Sequence, residues 1–279
     1  MDRDERILLD MVNAAVKAGG AILEVKNKAR YSVKEKADNS PVTDADYAAQ
    51  DTINSFLGQT GIPVISEEGA EEDYSVRKNW DEVFIVDPLD GTKEFINGSP
   101  QYGVNIALCR KGSPVFGVIY LPEDKALYFG TDKIPAVKAS VQPGAASFSG
   151  VDEIRASQLP ASARTGHYIC LASKSARTKA TEDYYKALTE RIPGAEILPM
   201  GSCVKYCTLA EGLADEYTRM GSVMEWDTAA GDALLRSLGM PLRSIETGEP
   251  LMYNKQVLRS SDFTVKNPAR ELYMPVRVL

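Results

Sequence analysis

Acidic side chains gather in three short segments of this 279-residue sequence, each containing a glycine, proline or threonine that shapes the backbone. Each segment lies where a predicted strand ends or a predicted helix begins, and ligands collect at such places in α/β architectures. Oxygen ligands without sulfur or nitrogen select a hard cation, Mg²⁺ before Mn²⁺ or Ca²⁺. The three segments are Ser66-Glu67-Glu68-Gly69, Asp87-Pro88-Leu89-Asp90-Gly91-Thr92 and Trp226-Asp227-Thr228-Ala229-Ala230-Gly231-Asp232.

The middle segment has the most specific geometry. Pro88 cannot donate a hydrogen bond to a sheet ladder, so we expect it to turn the chain out of the preceding strand. That turn would let Asp87 and Asp90 converge on one point, with the carbonyl oxygen of Leu89 as a third ligand. These three oxygens would suit a divalent cation.

The end of the same segment suits a phosphate group. Gly91 has no Cβ, so a ligand can approach the backbone closely. Thr92 would begin a short helix over residues 93–95, whose first N–H groups favour an anion.

Each acidic group also has a structural interpretation when it is considered alone. Three such groups at the ends of elements are harder to explain that way together. The alternatives are exposed loop residues for Glu67 and Glu68, a turn for Asp87-Pro88, a helix N-cap for Asp227, and a capping box for Thr43-x-x-Asp46.

Composition limits the remaining chemistry. The net charge of −7 argues against a nucleic-acid binder, which would need a basic face. The sequence has no apolar run of membrane-spanning length and no signal-peptide pattern. We therefore expect a cytoplasmic protein, with peripheral association at the inner membrane left open. Four cysteines are too few for a disulfide framework, and a single histidine, His167, leaves the chemistry to carboxylates.

Hydrophobic periodicity predicts the elements that position these segments. We expect an α+β half over residues 1–162 and an α/β half over residues 163–279 that completes the site. The first half has predicted helices at 7–25 and from 43, strands at 62–65 and 83–86, and an antiparallel meander within 102–129. The second half has predicted strands at 168–172, 196–199 and 216–219, and helices near 178–192, 203–214 and 228–238.

Together the three segments resemble the signatures of the inositol monophosphatase superfamily, which are Mg²⁺-dependent, lithium-sensitive phosphatases. Matching motifs run from about residue 42 to residue 232, and their combination is highly specific. The resemblance implies that family's layered α-β-α-β-α sandwich, two to three Mg²⁺ ions per site, and inhibition by Li⁺.

The resemblance also implies roles for individual residues. Glu67, Asp87 and the Leu89 carbonyl would hold the first Mg²⁺, and a weaker third ion would lie near Glu67. The second ion would be held by Asp87, Asp90 and Asp227. Two such ions would activate a water and neutralise the charge on the phosphate.

Catalysis by this scheme uses no covalent phosphoenzyme. Thr92 with Asp46 resembles the family's water-activating pair, and Glu67 joins them as a catalytic residue. The backbone amides of Gly91 and Thr92 would bind the scissile phosphate. The substrate would also lie against Glu67, Leu89, Asp90 and Asp227.

The 3′(2′),5′-bisphosphate nucleotidases are the branch that this chain resembles most. The likeness rests on Leu89, on Lys93-Glu94-Phe95, on the Gly-Ser-x-x-Lys pattern of residues 201–205, and on Tyr217-Thr218-Arg219, where Thr218 departs from Tyr-Pro-Arg. Lys205 and Arg219, with Ser202 as a nearby donor, are the candidates for binding the phosphate that is not cleaved. A solvated or structural role for both bases is the alternative.

The predicted reaction is hydrolysis of the 3′-phosphate of adenosine 3′,5′-bisphosphate to AMP and phosphate, within sulfur metabolism. A second candidate substrate is 3′-phosphoadenylyl sulfate. The alternatives are an inositol monophosphatase or a fructose-1,6-bisphosphatase, and more remotely a non-catalytic, metal-dependent nucleotide-binding regulator. The expected partner is a small phosphorylated substrate and not a nucleic acid, and the chain would be a monomer or a homodimer.

Overall fold

The computed structural model describes residues 1–28, 30–36, 38–160, 166–174, 178–221 and 223–268. No helix within these ranges combines the length and the apolar character that crossing a membrane requires. The helices are α1 (Arg3–Lys26), α2 (Asp44–Leu57), α3 (Tyr74–Arg77), α4 (Thr92–Ile96), α5 (Lys179–Arg191), α6 (Val204–Ala210) and α7 (Ala229–Arg236).

The strands form a larger sheet, a smaller sheet and a two-stranded hairpin. The hairpin is β1 (Val33–Glu35) with β2 (Pro41–Thr43). The larger sheet has β3 (Val64–Ser66), β4 (Glu82–Asp90), β5 (Gly103–Arg110), β6 (Ser113–Leu121), β7 (Ala126–Thr131), β8 (Val137–Ser140) and β9 (Ala156–Gln158). The smaller sheet has β10 (Ile169–Ser173), β11 (Glu196–Met200), β12 (Glu216–Arg219), β13 (Arg243–Ser244) and β14 (Phe263–Lys266).

The larger sheet keeps its strands in chain order, from β3 to β9. From β4 onward, each strand pairs antiparallel with the next, which confirms the meander predicted within residues 102–129. Only β3 and β4 run parallel. Because parallel strands point the same way, their carboxyl ends lie together at one edge of the sheet.

Alternate side chains of β4 enter two different hydrophobic cores. Phe84 and Val86 pack with α1 and α2, whereas Val83 and Ile85 pack with α6 and α7. A strand covered on both faces has to be apolar throughout, which explains the uninterrupted run at 83–86. The inward positions predicted for α1 are all buried: Ile7, Leu8, Met11, Val12, Ala15, Ala18, Ile22 and Val25.

The smaller sheet has the order β11-β10-β12-β14-β13, with the first three strands parallel. Leu171 and Tyr217 belong to the core shared with α6 and α7, while Cys170 packs against α5 through Tyr185 and Leu188. The layers therefore run α1 and α2, larger sheet, α6 and α7, smaller sheet, α5. This confirms the predicted α-β-α-β-α sandwich. The predicted division between residues 162 and 163 lies outside the described residues.

The prediction that Pro88 turns the chain out of its strand is wrong. β4 continues through Pro88 to Asp90, which pairs with Gly103 of β5. The pairing register shifts between Asp87 and Asp90, so the ladder is interrupted where Pro88 has no N–H to donate. A bulge of this kind re-aims side chains without ending the strand.

The contact between α7 and β6 is close enough to require a glycine. A Cβ on Gly117 would lie 2.4 Å from the carbonyl oxygen of Ala230 and 2.9 Å from the Cβ of Ala233. Since α7 begins two residues after Asp227, this contact also sets how deeply that acidic segment sits.

We predict that Gly117→Ala lowers the free energy of unfolding by about 1–3 kcal/mol, because the added methyl group overpacks a backbone contact. Urea unfolding should show a lower midpoint with an unchanged slope. Gly58→Ala is the matched control. A Cβ at Gly58 meets nothing within 4 Å and the residue has φ −58°, so stability should stay equal or rise slightly. Equal midpoints for Gly117→Ala and the wild type would contradict the assigned contact.

Candidate active site

Three of the predicted acidic residues meet at the edge where β3 and β4 end. Glu67 follows β3, Asp87 lies in β4, and Asp227 precedes α7. One carboxylate oxygen from each lies within 4.8 Å of the other two. The parallel register that pairs Ser66 with Val86 places Glu67 beside Asp87. The structure thus brings together residues separated by up to 160 positions along the chain.

Burial disfavours negative charge on the carboxyl groups of this cluster. It raises the pKa of Asp87 well above its usual range, and the charges of Glu67 and Asp90 raise it further. Burial, followed by Asp90 and Glu67, raises the pKa of Asp227 to about 8. Among the described residues, neither Asp87 nor Asp227 forms an ion pair. A divalent cation would supply the missing positive charge, and the all-oxygen ligand set fits one.

Asp90 lies beside this cluster and connects it to the C-terminal half of the chain. Its Oδ2 accepts hydrogen bonds from Ser202 Oγ at 2.8 Å and from Asn105 Nδ2 at 3.3 Å. Ser202 Oγ also lies 2.8 Å from the Asp90 carbonyl oxygen. Asn105, which the motifs did not indicate, therefore helps to orient a predicted metal ligand.

The backbone at Leu89 is shaped by its neighbours. The Leu89 N–H donates to Asp87 Oδ1 at 3.0 Å, and the Leu89 carbonyl oxygen lies 3.2 Å from Thr92 Oγ1. The Leu89 side chain is buried in the core with α1 and α2. The hydrophobic side chain therefore anchors the bulged part of β4 that presents the carbonyl group.

Asp46 makes both of the contacts that were predicted for it, one in the capping box and one with Thr92. Its Oδ2 accepts hydrogen bonds from the N–H and the hydroxyl of Thr43, at 2.7 and 2.6 Å, in the capping box of α2. Its Oδ1 lies 3.0 Å from Thr92 Oγ1. Burial raises the pKa of Asp46, whereas the bonds from Thr43 and Thr92 lower it. One carboxylate oxygen serves the helix and the other orients a hydroxyl group at the site.

The backbone conformation at residue 91 requires a glycine. Its φ is +96°, in the left-handed region that favours glycine. A Cβ here would lie 3.0 Å from the Cβ of Ser202 and 3.0 Å from the Gln101 carbonyl oxygen. That a ligand can approach the backbone closely at Gly91 stays a prediction.

The capping interpretation of Asp227 is wrong. Thr228 is the N-cap of α7, and it makes no side-chain capping bond. Asp227 Oδ2 instead accepts the N–H of Met224 at 2.7 Å. This bond holds the carboxylate in a turn before the helix, where its other oxygen can face the cluster.

Two cavities meet at this site. The first contains the clustered carboxylates, and the second contains the basic residues predicted to bind substrate. The first is lined by Ser40, Pro41, Glu67, Asp87, Leu89, Asp90, Gly91, Thr92, Lys93, Glu94 and Asp227. The second is lined by Asp90, Gly91, Glu94, Ser173, Gly201, Ser202, Lys205, Tyr206, Tyr217, Arg219, Val223 and Asp227.

The basic residues of the second cavity also form hydrogen bonds with the protein around it. Lys205 is 4% exposed, and its ammonium group donates to the carbonyl oxygens of Ser202 at 2.7 Å and Met200 at 3.2 Å. Arg219 Nη1 donates to Ser173 Oγ at 3.1 Å. Lys205 is therefore not a solvated surface residue. It lines the cavity and also supports the local backbone through its hydrogen bonds.

Lys36 was not predicted as part of the site. Its ammonium group lies 2.8 Å from Glu67 Oε1 and 2.5 Å from Glu68 Oε1. Burial raises the pKa of Glu67, and the charge of Lys36 partly offsets that rise. No local pattern could have indicated this contact, because Lys36 follows a hairpin strand 31 residues before Glu67.

Comparison of this chain with known protein sequences places it in one family. A sequence model of the inositol monophosphatase family matches residues 2–274. The 3′(2′),5′-bisphosphate nucleotidase CysQ of Buchnera aphidicola is 34% identical over 255 residues, which are 89% of this chain and 88% of that protein. The protein of the same name from Escherichia coli K12 is 34% identical over 250 residues, 88% of this chain and 94% of that protein.

Comparison with solved structures agrees. CysQ from Bacteroides thetaiotaomicron has a TM-score of 0.87 and 41% identity, covering 95% of this chain and 98% of that one. The SuhB protein from Bartonella henselae has a TM-score of 0.73 at 23% identity, covering 95% of each chain, and supports the fold alone.

We predict that Asp227→Asn stabilises the metal-free protein at alkaline pH. A carboxyl group with a pKa near 8 when folded and near 4 when unfolded keeps its proton longer in the fold. Its contribution to stability is complete below about pH 4 and is lost as pH rises through about 8. Between pH 5 and 8 the variant should therefore gain on the wild type by on the order of 1 kcal/mol per pH unit, measured by urea unfolding in EDTA.

The control is Asp51→Asn, which makes the same change at an exposed position of α2. Its stability should follow the wild type at every pH. Parallel curves for Asp227→Asn and the wild type would show that Asp227 is already ionised in the folded, metal-free protein.

Proposed function

Since the chain belongs to the inositol monophosphatase family, we propose that it is a Mg²⁺-dependent 3′(2′),5′-bisphosphate nucleotidase. The reaction is hydrolysis of the 3′-phosphate of adenosine 3′,5′-bisphosphate, which releases AMP and phosphate. The names of the CysQ relatives support this substrate class, and so does the resemblance of the chain's own motifs to those of the bisphosphate nucleotidases. The 3′-phosphate of 3′-phosphoadenylyl sulfate is a second candidate, and Li⁺ is the expected inhibitor.

The observation that carries the proposal is the junction of an acidic cavity with a basic one. Glu67, Asp87 and Asp227 line the first, while Lys205 and Arg219 line the second. A substrate with two phosphate groups on one sugar can place one in each. A monophosphate would occupy the first cavity alone and would make no use of Lys205 and Arg219 in the second.

The acidic residues would hold the metal ions. Glu67, Asp87 and the Leu89 carbonyl group are proposed for one Mg²⁺, and Asp87, Asp90 and Asp227 for another. Bound ions would acidify a water molecule and offset the charge on the phosphate oxygens. The raised pKa values of Asp87 and Asp227 support this assignment, since a bound cation would favour the ionised form of both carboxyl groups.

Thr92 is proposed to orient the attacking water. Its hydroxyl donates its single proton in a hydrogen bond to Asp46, which leaves the oxygen lone pairs free to accept a hydrogen bond from water. As the proton of the water moves to Thr92 Oγ1, the hydroxyl proton would pass to Asp46. Asp46 is fixed by Thr43 and by α2, so the hydroxyl group points in a defined direction. Proton transfer to a group positioned in this way typically contributes 10²–10⁴-fold to a rate.

The second cavity would bind the phosphate that stays on the product. Lys205 and Arg219 provide positive charge in a buried setting, where pairing with phosphate is strong. Ser202 already bridges to Asp90, so it links the position of this phosphate to the metal ligands. The backbone amides of Gly91 and Thr92 are proposed for the phosphate that is cleaved.

The cytoplasm is the proposed compartment. Four cysteines are free and buried, which fits a reducing environment. The proposed substrate is a small bisphosphorylated nucleotide. The protein itself is proposed to be a monomer or a homodimer.

Substrate preference is tested by phosphate release at equal Mg²⁺. We predict that kcat/KM is highest for adenosine 3′,5′-bisphosphate, and at least about tenfold lower for inositol 1-phosphate and fructose 1,6-bisphosphate, because neither places an anion in the second cavity with the same spacing. Asp90→Asn should abolish release from every substrate, which excludes a contaminating phosphatase. A higher kcat/KM for either sugar phosphate would refute the nucleotidase assignment.

The water-orienting pair is tested by Thr92→Val and Asp46→Ala. Each should lower kcat by about 10²–10⁴-fold with a smaller change in KM, and Thr92→Ser should restore most activity. Thr52→Val is the matched control, because it makes the same change at a hydroxyl that bonds only within α2. If Asp46→Ala lost thermal stability and kept its kcat, Asp46 would serve the capping box alone.

A further inference from the structure

Glu94 lies at the junction of the two cavities. Of the described residues, four line both cavities: Asp90, Gly91, Asp227 and Glu94. Any substrate that occupies both cavities has to pass these residues. The functional motifs explain the first three as proposed metal ligands or as a backbone requirement, and they leave Glu94 without a role.

The Glu94 carboxylate differs from its neighbours in having no partner in the part of the chain that the structure describes. Asp90 accepts a bond from Ser202, and Asp227 accepts one from Met224. The Glu94 side chain forms no hydrogen bond or ion pair with any described residue, although its backbone carbonyl accepts the N–H of Ser99 at 2.9 Å. An acceptor that faces a cavity without a protein partner is available to a ligand.

The position of this carboxylate is nevertheless well defined. Glu94 belongs to α4, which is anchored in the core by the buried side chain of Phe95. The side chain lies against Gly201, where a Cβ would come within 3.0 Å of Glu94 Cγ and 3.1 Å of Glu94 Oε1. The Gly201 N–H donates to Gln101 Oε1 at 3.0 Å, so that backbone is also held.

The junction of the two cavities would contact the part of the substrate that lies between its two phosphate groups. In adenosine 3′,5′-bisphosphate that part is the ribose, and the group beside the scissile phosphate is the 2′-hydroxyl. A carboxylate accepts a strong, charge-assisted hydrogen bond from a hydroxyl group. The same carboxylate repels a second anion at that carbon.

We propose that Glu94 is a specificity-determining residue that accepts a hydrogen bond from the sugar hydroxyl vicinal to the scissile phosphate. It selects sugars with a free hydroxyl there and rejects those with an additional phosphate. This inference rests on the proposed function and names the part of the substrate that the junction recognises.

The test is a cycle of two enzymes and two substrates, measured as kcat/KM for phosphate release at fixed Mg²⁺. The substrates are adenosine 3′,5′-bisphosphate and its 2′-deoxy analogue. The wild type should lose about 10- to 100-fold on the deoxy substrate, the range expected for a hydrogen bond to a charged group. Glu94→Ala should lose a similar factor on the ribose substrate, and no more than about twofold further on the deoxy substrate.

Two further variants complete the design. Glu94→Gln keeps the shape of the side chain and a neutral acceptor, so its loss on the ribose substrate should be smaller than that of Glu94→Ala. If Glu94→Ala folds poorly, Glu94→Gln replaces it in the comparison with the wild type. Glu71→Ala removes an exposed carboxylate outside both cavities and should match the wild type on both substrates.

The proposal is overturned if Glu94→Ala lowers kcat/KM by the same factor on both substrates, since that result indicates a structural role through the backbone at Gly201. It is equally overturned if Glu94→Ala leaves the ribose substrate unaffected. In both cases an active wild type leaves the proposed function standing. A wild type that does not hydrolyse adenosine 3′,5′-bisphosphate overturns both proposals.

Discussion

Repulsion among buried carboxylates is the constraint around which this structure is arranged. At 4.8 Å, two unit charges repel by roughly 3–4 kcal/mol at an effective dielectric constant of about 20. Glu67, Asp87 and Asp227 meet at that spacing, with Asp90 beside them. Nothing in their local sequences would bring such groups together, so the surrounding layers have to hold them. Burial is the main reason that the pKa of Asp87 lies well above its usual range, and repulsion from Glu67 and Asp90 raises that pKa further.

The layers oppose that repulsion through rigidity. β4 lies inside the larger sheet and is covered on one face by α1 and α2 and on the other by α6 and α7. Asp87 and Asp90 are therefore part of a strand that cannot move without disturbing two cores. α7 is pressed against β6 at Gly117, which fixes the approach of Asp227. A cation bound at this edge would turn the repulsion into stabilisation.

The two halves of the chain contribute different charged residues to one site. Residues before 160 supply Glu67, Asp87 and Asp90, while residues after 166 supply Asp227 and the basic side chains of the second cavity. Ser202 joins the two sets, because its hydroxyl group contacts both the carbonyl and the carboxylate of Asp90. Closely packed backbone at Gly91 keeps that contact short. The proposed metal ligands and the proposed substrate-binding residues thus share one framework.

Local patterns were sufficient for some features and misleading for others. The strand at 83–86 and the meander after it were predicted because apolar runs and turn residues act over a few positions. Pro88 was misjudged, since a missing donor can be accommodated by a bulge as well as by a turn. The N-cap interpretation of Asp227 failed for a similar reason, because its carboxylate bonds backward to Met224.

The sequence by itself determined the identity of the acidic residues, because motif spacing and donor chemistry are local properties, and the resemblance of its motifs to a known family implied the layered fold. Only the tertiary structure decided which carboxylates meet, that Lys36 pairs with Glu67, and that Glu94 stands between two cavities. These contacts join residues that are distant along the chain. Their distances are set by the packing of sheets against helices, which no short segment specifies.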